Sequence, residues 1–158
     1  MKTSYLSKCF QEIENATGTL DKTALLADLL SKANVSEVKA VAYLSLGRLG
    51  PLFNSVHFGI GNKMMIRALK RTFEISVKDV EARFNSMGDL GLVAEELRGE
   101  RKFRSQGLSV KDVYGFLMKI ARAEGTGSRE EKLAGLSSLF KASDKVSSKY
   151  ITRVVLGK

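Results

Sequence analysis

Three short turns in this chain have the residue types needed to hold an anion. Gly18-Thr19, Gly59-Ile60-Gly61-Asn62 and Gly125-Thr126-Gly127-Ser128 each place glycine ahead of a helical stretch. Each is followed by a cation: Lys22, Lys63, and Arg129 with Lys132. A helix start offers free backbone amides and a partial positive charge, and glycine lets a phosphate approach the backbone closely. One Gly-x-Gly turn is ordinary chain reversal. Three with cations downstream, on a chain with 26 Lys+Arg against 17 Asp+Glu and a net charge of +9, point to phosphate contact. The charge implies a polyanionic partner, nucleic acid first and an acidic membrane surface second. The bland alternative is a basic surface kept for solubility.

Covalent and metal chemistry find little support. The chain has no serine elbow, no Walker lysine loop and no His/Cys metal spacing. The single histidine, His57, lies in a loop beside Phe58 and reads as structural or exposed. Acidic pairs such as Glu95-Glu96 and Glu130-Glu131 fit helix faces and first turns, where they complement the helix dipole. The lone Cys9 excludes an internal disulfide and shares a stripe with Leu6 and Ile13, so it reads as core. No apolar run approaches the ~18 residues of a membrane span, and the first residues carry acids and helical periodicity unlike a signal peptide. A monomer in a reducing, intracellular setting is expected.

The elements that would position these turns are helices. The spacing predicts helices over Thr3–Thr17, Lys22–Lys32 and Glu37–Leu46, the last with Ser36 as N-cap. Gly50-Pro51 stops continuation, and Phe53–Gly61 reads as a loop. Lys63–Phe73 follows, with Met65, Ile66, Leu69 and Phe73 inward and Lys63, Arg67, Lys70 and Arg71 outward. That basic stripe fits a DNA-facing surface and a solvated one equally. Ser76 with Asp79 starts a helix to about Met87, Gly88-Asp89-Leu90-Gly91 breaks it, and a short helix covers Leu92–Leu97. Arg98–Leu108, with Arg98, Arg101, Lys102 and Arg104, reads as a flexible charged loop, mobile unless a ligand orders it. Ser109 with Asp112, and Ser128 with Glu131, cap the next two helices, and Val146–Leu156 forms the last. The prediction is an all-α domain of about nine or more helices without strands.

The first and last parts of the chain look like copies. Leu6, Phe10, Ile13, Ala16, Gly18 and Thr19 fall at a constant offset on Val113, Leu117, Ile120, Ala123, Gly125 and Thr126. Beyond a slightly longer turn, Lys22, Leu26, Leu29, Lys39, Val41, Leu46, Gly47 and Arg48 fall on Lys132, Leu136, Leu139, Lys149, Ile151, Leu156, Gly157 and Lys158. This predicts a pseudo-twofold duplication, with halves 3–48 and 110–158 around a helical insert, 59–98. Related halves could set equivalent turns against the two backbones of a duplex, contacts that position a protein without reading sequence. No helix is rich in Arg, Asn and Gln at base-reading spacings, and no aromatic strand offers stacking for single strands. Duplex binding through backbone and groove shape is the expectation.

Six stretches in series resemble one family: FQEIENATG (10–18), VAYLSLGRLGP (41–51), FGIGNK at the end of 52–63, GDLGLVAE (88–95), GTGSREEK (125–132) and KYITRVVLG (149–157). The chain is similar, over essentially its whole length, to the N-terminal DNA-binding domain of ATP-dependent DNA ligases of the archaeal and eukaryotic replicative type. The resemblance implies a helical domain that grips nicked duplex in the minor groove, alongside adenylation and OB-fold domains, in replication and repair. It implies DNA contacts at Gly18 and Thr19, Gly47 and Arg48, Gly125–Ser128, and Gly157 and Lys158. Lys149 and Arg153 match basic family positions, as contacts or as supports for the final turn. Thr19 stands where some relatives carry a cation, which weakens the case for an ion pair there.

The family's Lys-x-Asp-Gly nucleotidyl-transfer motif is nowhere in the sequence. ATP and Mg would therefore be used by catalytic domains outside this chain, which needs no cofactor of its own and should lack ligase activity alone. Family members usually continue past Leu156-Gly157-Lys158 with a further basic segment. An isolated or truncated domain, with weaker DNA binding than a longer piece, is expected. The competing reading is a protein-interaction module that docks a replication partner such as a sliding clamp.

Overall fold

Helix α6 (Leu90–Glu100) is the hub. Leu90, Val93, Ala94 and Leu97 are all buried, and the helix lies along α9 (Lys145–Leu156) in the most extensive helix pair of the fold. Gly91 permits that approach: a Cβ there would stand 2.9 Å from the Lys149 carbonyl oxygen and 3.0 Å from Cγ of Arg153. The predicted break at Gly88–Gly91 is thus half right. Gly88, at φ +73°, ends α5, but Gly91 belongs inside α6 as the point where two backbones meet.

The computed structural model describes residues 1–54 and 56–158, and among these it contains nine α-helices and no strand. Around the hub stand α1 (Thr3–Asn15), α2 (Thr19–Lys32), α3 (Val38–Ser45), α4 (Asn62–Phe73), α5 (Val77–Met87), α7 (Val110–Arg122) and α8 (Ser128–Ala142), with a 3-10 turn at Leu52–Asn54. The loop expected over Phe53–Gly61 is irregular from Val56 to Gly61; Ser55 lies outside the described residues. The inward stripe of α4 is as its periodicity predicts. Met65, Ile66, Leu69 and Phe73 are buried, and Lys63, Arg67, Lys70 and Arg71 are exposed. Phe73 meets Phe140 of α8 and Phe103 with ring centroids 6.4 and 6.2 Å apart, which ties α4 and α8 to the core.

Several ends differ from the expectations. Ser36 does not cap α3. Its amide and its hydroxyl both donate to Asn34 Oδ1, which consumes the serine locally, and Glu37 is the N-cap. Ser128 is the first residue of α8, not its cap; Gly127, at φ +85°, takes that place without a side-chain bond. Ser76 and Ser109 cap α5 and α7 as read, and Ser109 with Asp112 forms a complete capping box. The largest departure is at Arg98. The helix continues to Glu100, and Arg98 is buried and donates to the carbonyls of Phe140, Ser143, Arg101 and Phe103. Gln106 N–H donates to Ala142 C=O at 2.9 Å. The stretch read as a mobile basic loop is therefore strapped to the C-terminal end of α8, where helix carbonyls lack helical partners and a guanidinium satisfies several at once.

The starts of α1 and α7 meet in an isolated antiparallel bridge between Lys2 and Ser109, residues that stand in register when the two halves are aligned. The bonds are reciprocal: Thr3 N–H donates to Leu108 C=O at 2.9 Å, and Val110 N–H donates to Met1 C=O at 3.0 Å. Helix α9 packs on α1, and α3 packs on α7, so each end region lays its third helix across the other's first. The aligned alanines Ala16 and Ala123 both close their helices in extended backbone. The following turns differ, with Gly18 extended at φ −84° and Gly125 left-handed at φ +82°.

Candidate nucleic-acid interface

Helices α1 and α3 begin at Lys2 and Glu37 without a side-chain cap, and the other seven described helix starts fall into two kinds. Helices α5, α6, α7 and α9 are capped by the side chains of Ser76, Asp89, Ser109 and Asp144. Helices α2, α4 and α8 begin at Gly18, Gly61 and Gly127 with no side-chain cap, so early amides are left for an outside acceptor. These are the three turns picked out by their glycines and cations. Their electrostatics are unequal. Asp21 folds back over the start of α2, where a Cβ on Gly18 would lie 2.8 Å from its Oδ2. Glu130 and Glu131 occupy the first turn of α8, and Glu130 is paired with Arg71 of α4. The first turn of α4 holds no acid and carries Lys63, so it is the start most receptive to an anion.

The ends of α3 and α9 converge. Gly47 at φ +65° and Gly157 at φ +69° both turn left-handed, and Arg48 N–H and Lys158 N–H close matching bonds to Tyr43 C=O and Arg153 C=O at 3.0 and 2.9 Å. The two ends touch: a Cβ on Gly47 would stand 3.2 Å from the Lys158 carbonyl oxygen. The turns that carry Arg48 and Lys158 thus lie against each other. A cavity of about 410 Å³ joins this point to Thr19 and Lys22, over a floor that includes Phe10, Leu26 and Val154. A second depression, of about 550 Å³, joins Gly47, Arg48 and Gly157 to Gly59 and Gly61. Gly47 and Val154 border both, so the two depressions adjoin. Lys22, Arg48, Lys63 and Lys158 make no ion pair with another described residue.

The remaining sequence candidates are placed differently. Gly125, Thr126, Gly127 and Arg129 are exposed at the start of α8 but border neither depression. Lys132 is half-buried and donates to Phe58 C=O at 2.6 Å, which fastens α8 to the loop before Gly59. Lys149 is only 4% exposed, and its ammonium sits 2.9 Å from Glu14 Oε2 and 4.8 Å from the Tyr150 ring centre. Arg153 bridges Glu14 at 3.1 Å and Asp89 at 2.7 Å. Of the two roles open to Lys149 and Arg153, their surroundings fit support of the final turn. Partial burial opposes ionisation of Glu14. Hydrogen bonds from Lys149 and from the Tyr150 hydroxyl, with the Arg153 charge, outweigh it and hold the carboxyl at about 2.

Sequence reasoning did not find this Glu14–Lys149–Arg153–Asp89 network. Glu14 and Asp89 are separated by most of the first half of the chain and share no motif. Among the described residues, no group of three or more His, Cys, Asp or Glu could hold a metal ion. No helix of the described residues is long and apolar enough to cross a membrane.

Fold and surface together define an all-α domain in which Lys22, Arg48 and Lys158 border two adjoining depressions at the converging ends of α3 and α9. The chain belongs to the DNA ligase N-terminus family, which it matches over residues 2–158. It is 32% identical over 156 residues to a probable DNA ligase of Aquifex aeolicus, covering 98% of this chain and 27% of that protein. It is 42% identical over 123 residues to DNA ligase 1 of Methanosarcina barkeri, covering 77% of this chain and 22% of that protein. It is 37% identical over 165 residues to a DNA ligase of Pyrobaculum arsenaticum, covering 100% of this chain and 28% of that protein. The chain thus spans about a quarter of the length of these relatives.

Proposed function

We propose that this chain is the duplex-DNA-binding domain of an ATP-dependent DNA ligase, holding nicked DNA by its backbone without reading sequence. The observation that carries the proposal is the convergence of the α3 and α9 ends, which sets Lys158 in a depression with Thr19 and Lys22, and Arg48 in the adjoining one with Gly59 and Gly61. Lysine and arginine there neutralise phosphates, and amides at the glycine-capped start of α4 add donors. In this reading the start of α8, Gly125–Arg129, contacts the duplex away from the depression. The adenylation and OB-fold domains of the same parent protein supply nucleotidyl transfer with ATP and Mg. The matched helix ends and the reciprocal bridge support descent of the two halves from one duplicated unit.

Fluorescence anisotropy of a labelled nicked duplex tests this. If Lys22, Arg48, Lys63 and Lys158 each neutralise one phosphate, the log–log salt slope is about −3.6 and affinity falls about 150-fold between about 50 and 200 mM salt. An unrelated sequence should bind equally. Binding that ignores salt, or no binding at either concentration, refutes the reading and leaves the basic surface to a protein partner such as a sliding clamp.

A further inference from the structure

The basic surface carries an apolar rim that phosphate contact leaves unexplained. Leu46, Leu52 and Phe53 are 60%, 78% and 93% exposed, and they stand within eight positions of one another on either side of Arg48. Leu46 is the C-cap of α3, and Leu52 and Phe53 form the 3-10 turn that follows Pro51. Leu52 borders the same depression as Arg48, Gly59, Gly61 and Gly157, so the apolar tip lies between the α3 end and the start of α4. Single exposed apolar residues are normal on protein surfaces, but a cluster flanked by polar groups marks a contact site. Here the flanking groups fix the partner's chemistry. Arg48 before the tip and Lys63 in the first turn of α4 after it call for anions, and the apolar tip between them in the chain calls for an uncharged, weakly hydrated strip beside those anions. A duplex groove has that layout, with phosphates at its edges and deoxyribose C–H faces between.

We infer that Leu52 and Phe53 enter a groove of duplex DNA and pack on its sugars, supplying the part of the affinity that salt does not screen. The inference rests on the DNA-binding reading above and divides the labour within that surface. Cations set the slope of affinity against salt, and the apolar tip sets its intercept.

The double substitution Leu52→Ser with Phe53→Ser tests it, because both side chains are exposed and their loss leaves the core intact. An unchanged thermal midpoint confirms the fold. The expected result is about tenfold weaker binding at every salt concentration, equivalent to ~1.4 kcal/mol, with the log–log slope unchanged. Arg48→Gln should do the reverse, flattening the slope by about 0.9. Parent-like affinity of the double variant overturns the groove contact while the DNA-binding reading stands. A flattened slope in the double variant overturns the division of labour. Failure of the parent chain to bind duplex overturns both.

Discussion

Replacing Glu14 with Gln removes the carboxylate that Lys149 and Arg153 share, and the structure sets the size and pH dependence of the effect. The Glu14 carboxyl is held at about 2 against an ordinary 4.5, a shift equivalent to about 3 kcal/mol before screening. The side chain is 40% exposed, and solvent screening brings the contribution to about 1–2 kcal/mol. Lys149 would then be buried without a carboxylate, although the Tyr150 ring remains beside it, and Arg153 would keep Asp89. A total loss near 2 kcal/mol is expected, lowering the thermal midpoint by about 4–8 °C at neutral pH for a chain of this length. Folding lowers this pKa, so the stabilisation is complete above the unfolded value of 4.5 and is lost as pH falls through the folded value of about 2. Midpoints of parent and variant, measured by circular dichroism from about pH 7 to about 3, should differ by a constant amount down to about pH 5 and converge below it. Equal midpoints at neutral pH, or a gap undiminished at the acid end, would refute the assignment of Glu14 as the keystone of this network.

Arg98→Met keeps volume but strips the carbonyls of Phe140, Ser143, Arg101 and Phe103 of their donor. It should cost about 2–4 kcal/mol in denaturant titration and speed amide exchange at Gln106. Gly47→Ala and Gly157→Ala separate backbone strain from contact. Both sites are left-handed, which costs about 1–2 kcal/mol for alanine, but only Gly47 faces the Lys158 carbonyl at 3.2 Å. Gly47→Ala should therefore be the more destabilising and should also weaken DNA binding; equal effects on stability and binding would count against the convergence of the two ends. Lys63→Gln should flatten the salt slope by about 0.9, whereas Lys132→Gln should leave the slope alone and lower the thermal midpoint.

What periodicity controls was readable from the chain. Met65, Ile66, Leu69 and Phe73 recur at helical spacing and are buried, and Ser109-x-x-Asp112 folds as the capping box it resembles. Local signals failed where a distant partner decided the outcome. Arg98 looked like part of a solvated basic run, and only the end of α8, some forty residues on, makes it a buried strap. For Lys149 the sequence leaves open a DNA contact or a support for the final turn, and its neighbours Glu14 and Tyr150 are visible only in the structure. Gly91 sat in a glycine-rich stretch that read as a break, yet its role is the close pass of α9. The candidate surface was legible as parts. The glycine turns and the paired ends Gly47-Arg48 and Gly157-Lys158 could be named, but not that α3 and α9 finish against each other, nor that α8 starts elsewhere.

The crossing of α9 onto α1 also governs how the domain is made. Ser7 Oγ donates to Ser147 Oγ at 3.1 Å across 140 positions of sequence, and the Phe10 ring meets Tyr150 edge-on at 5.3 Å. At ~5–20 residues per second, a ribosome adds that stretch in roughly 7–30 s, and through that time α1 lacks the part of its cover that α9 supplies. The first helix to emerge is therefore among the last to be sealed. Contacts of such span slow the search for the native state, so the nascent domain spends its most aggregation-prone interval waiting for its final helix.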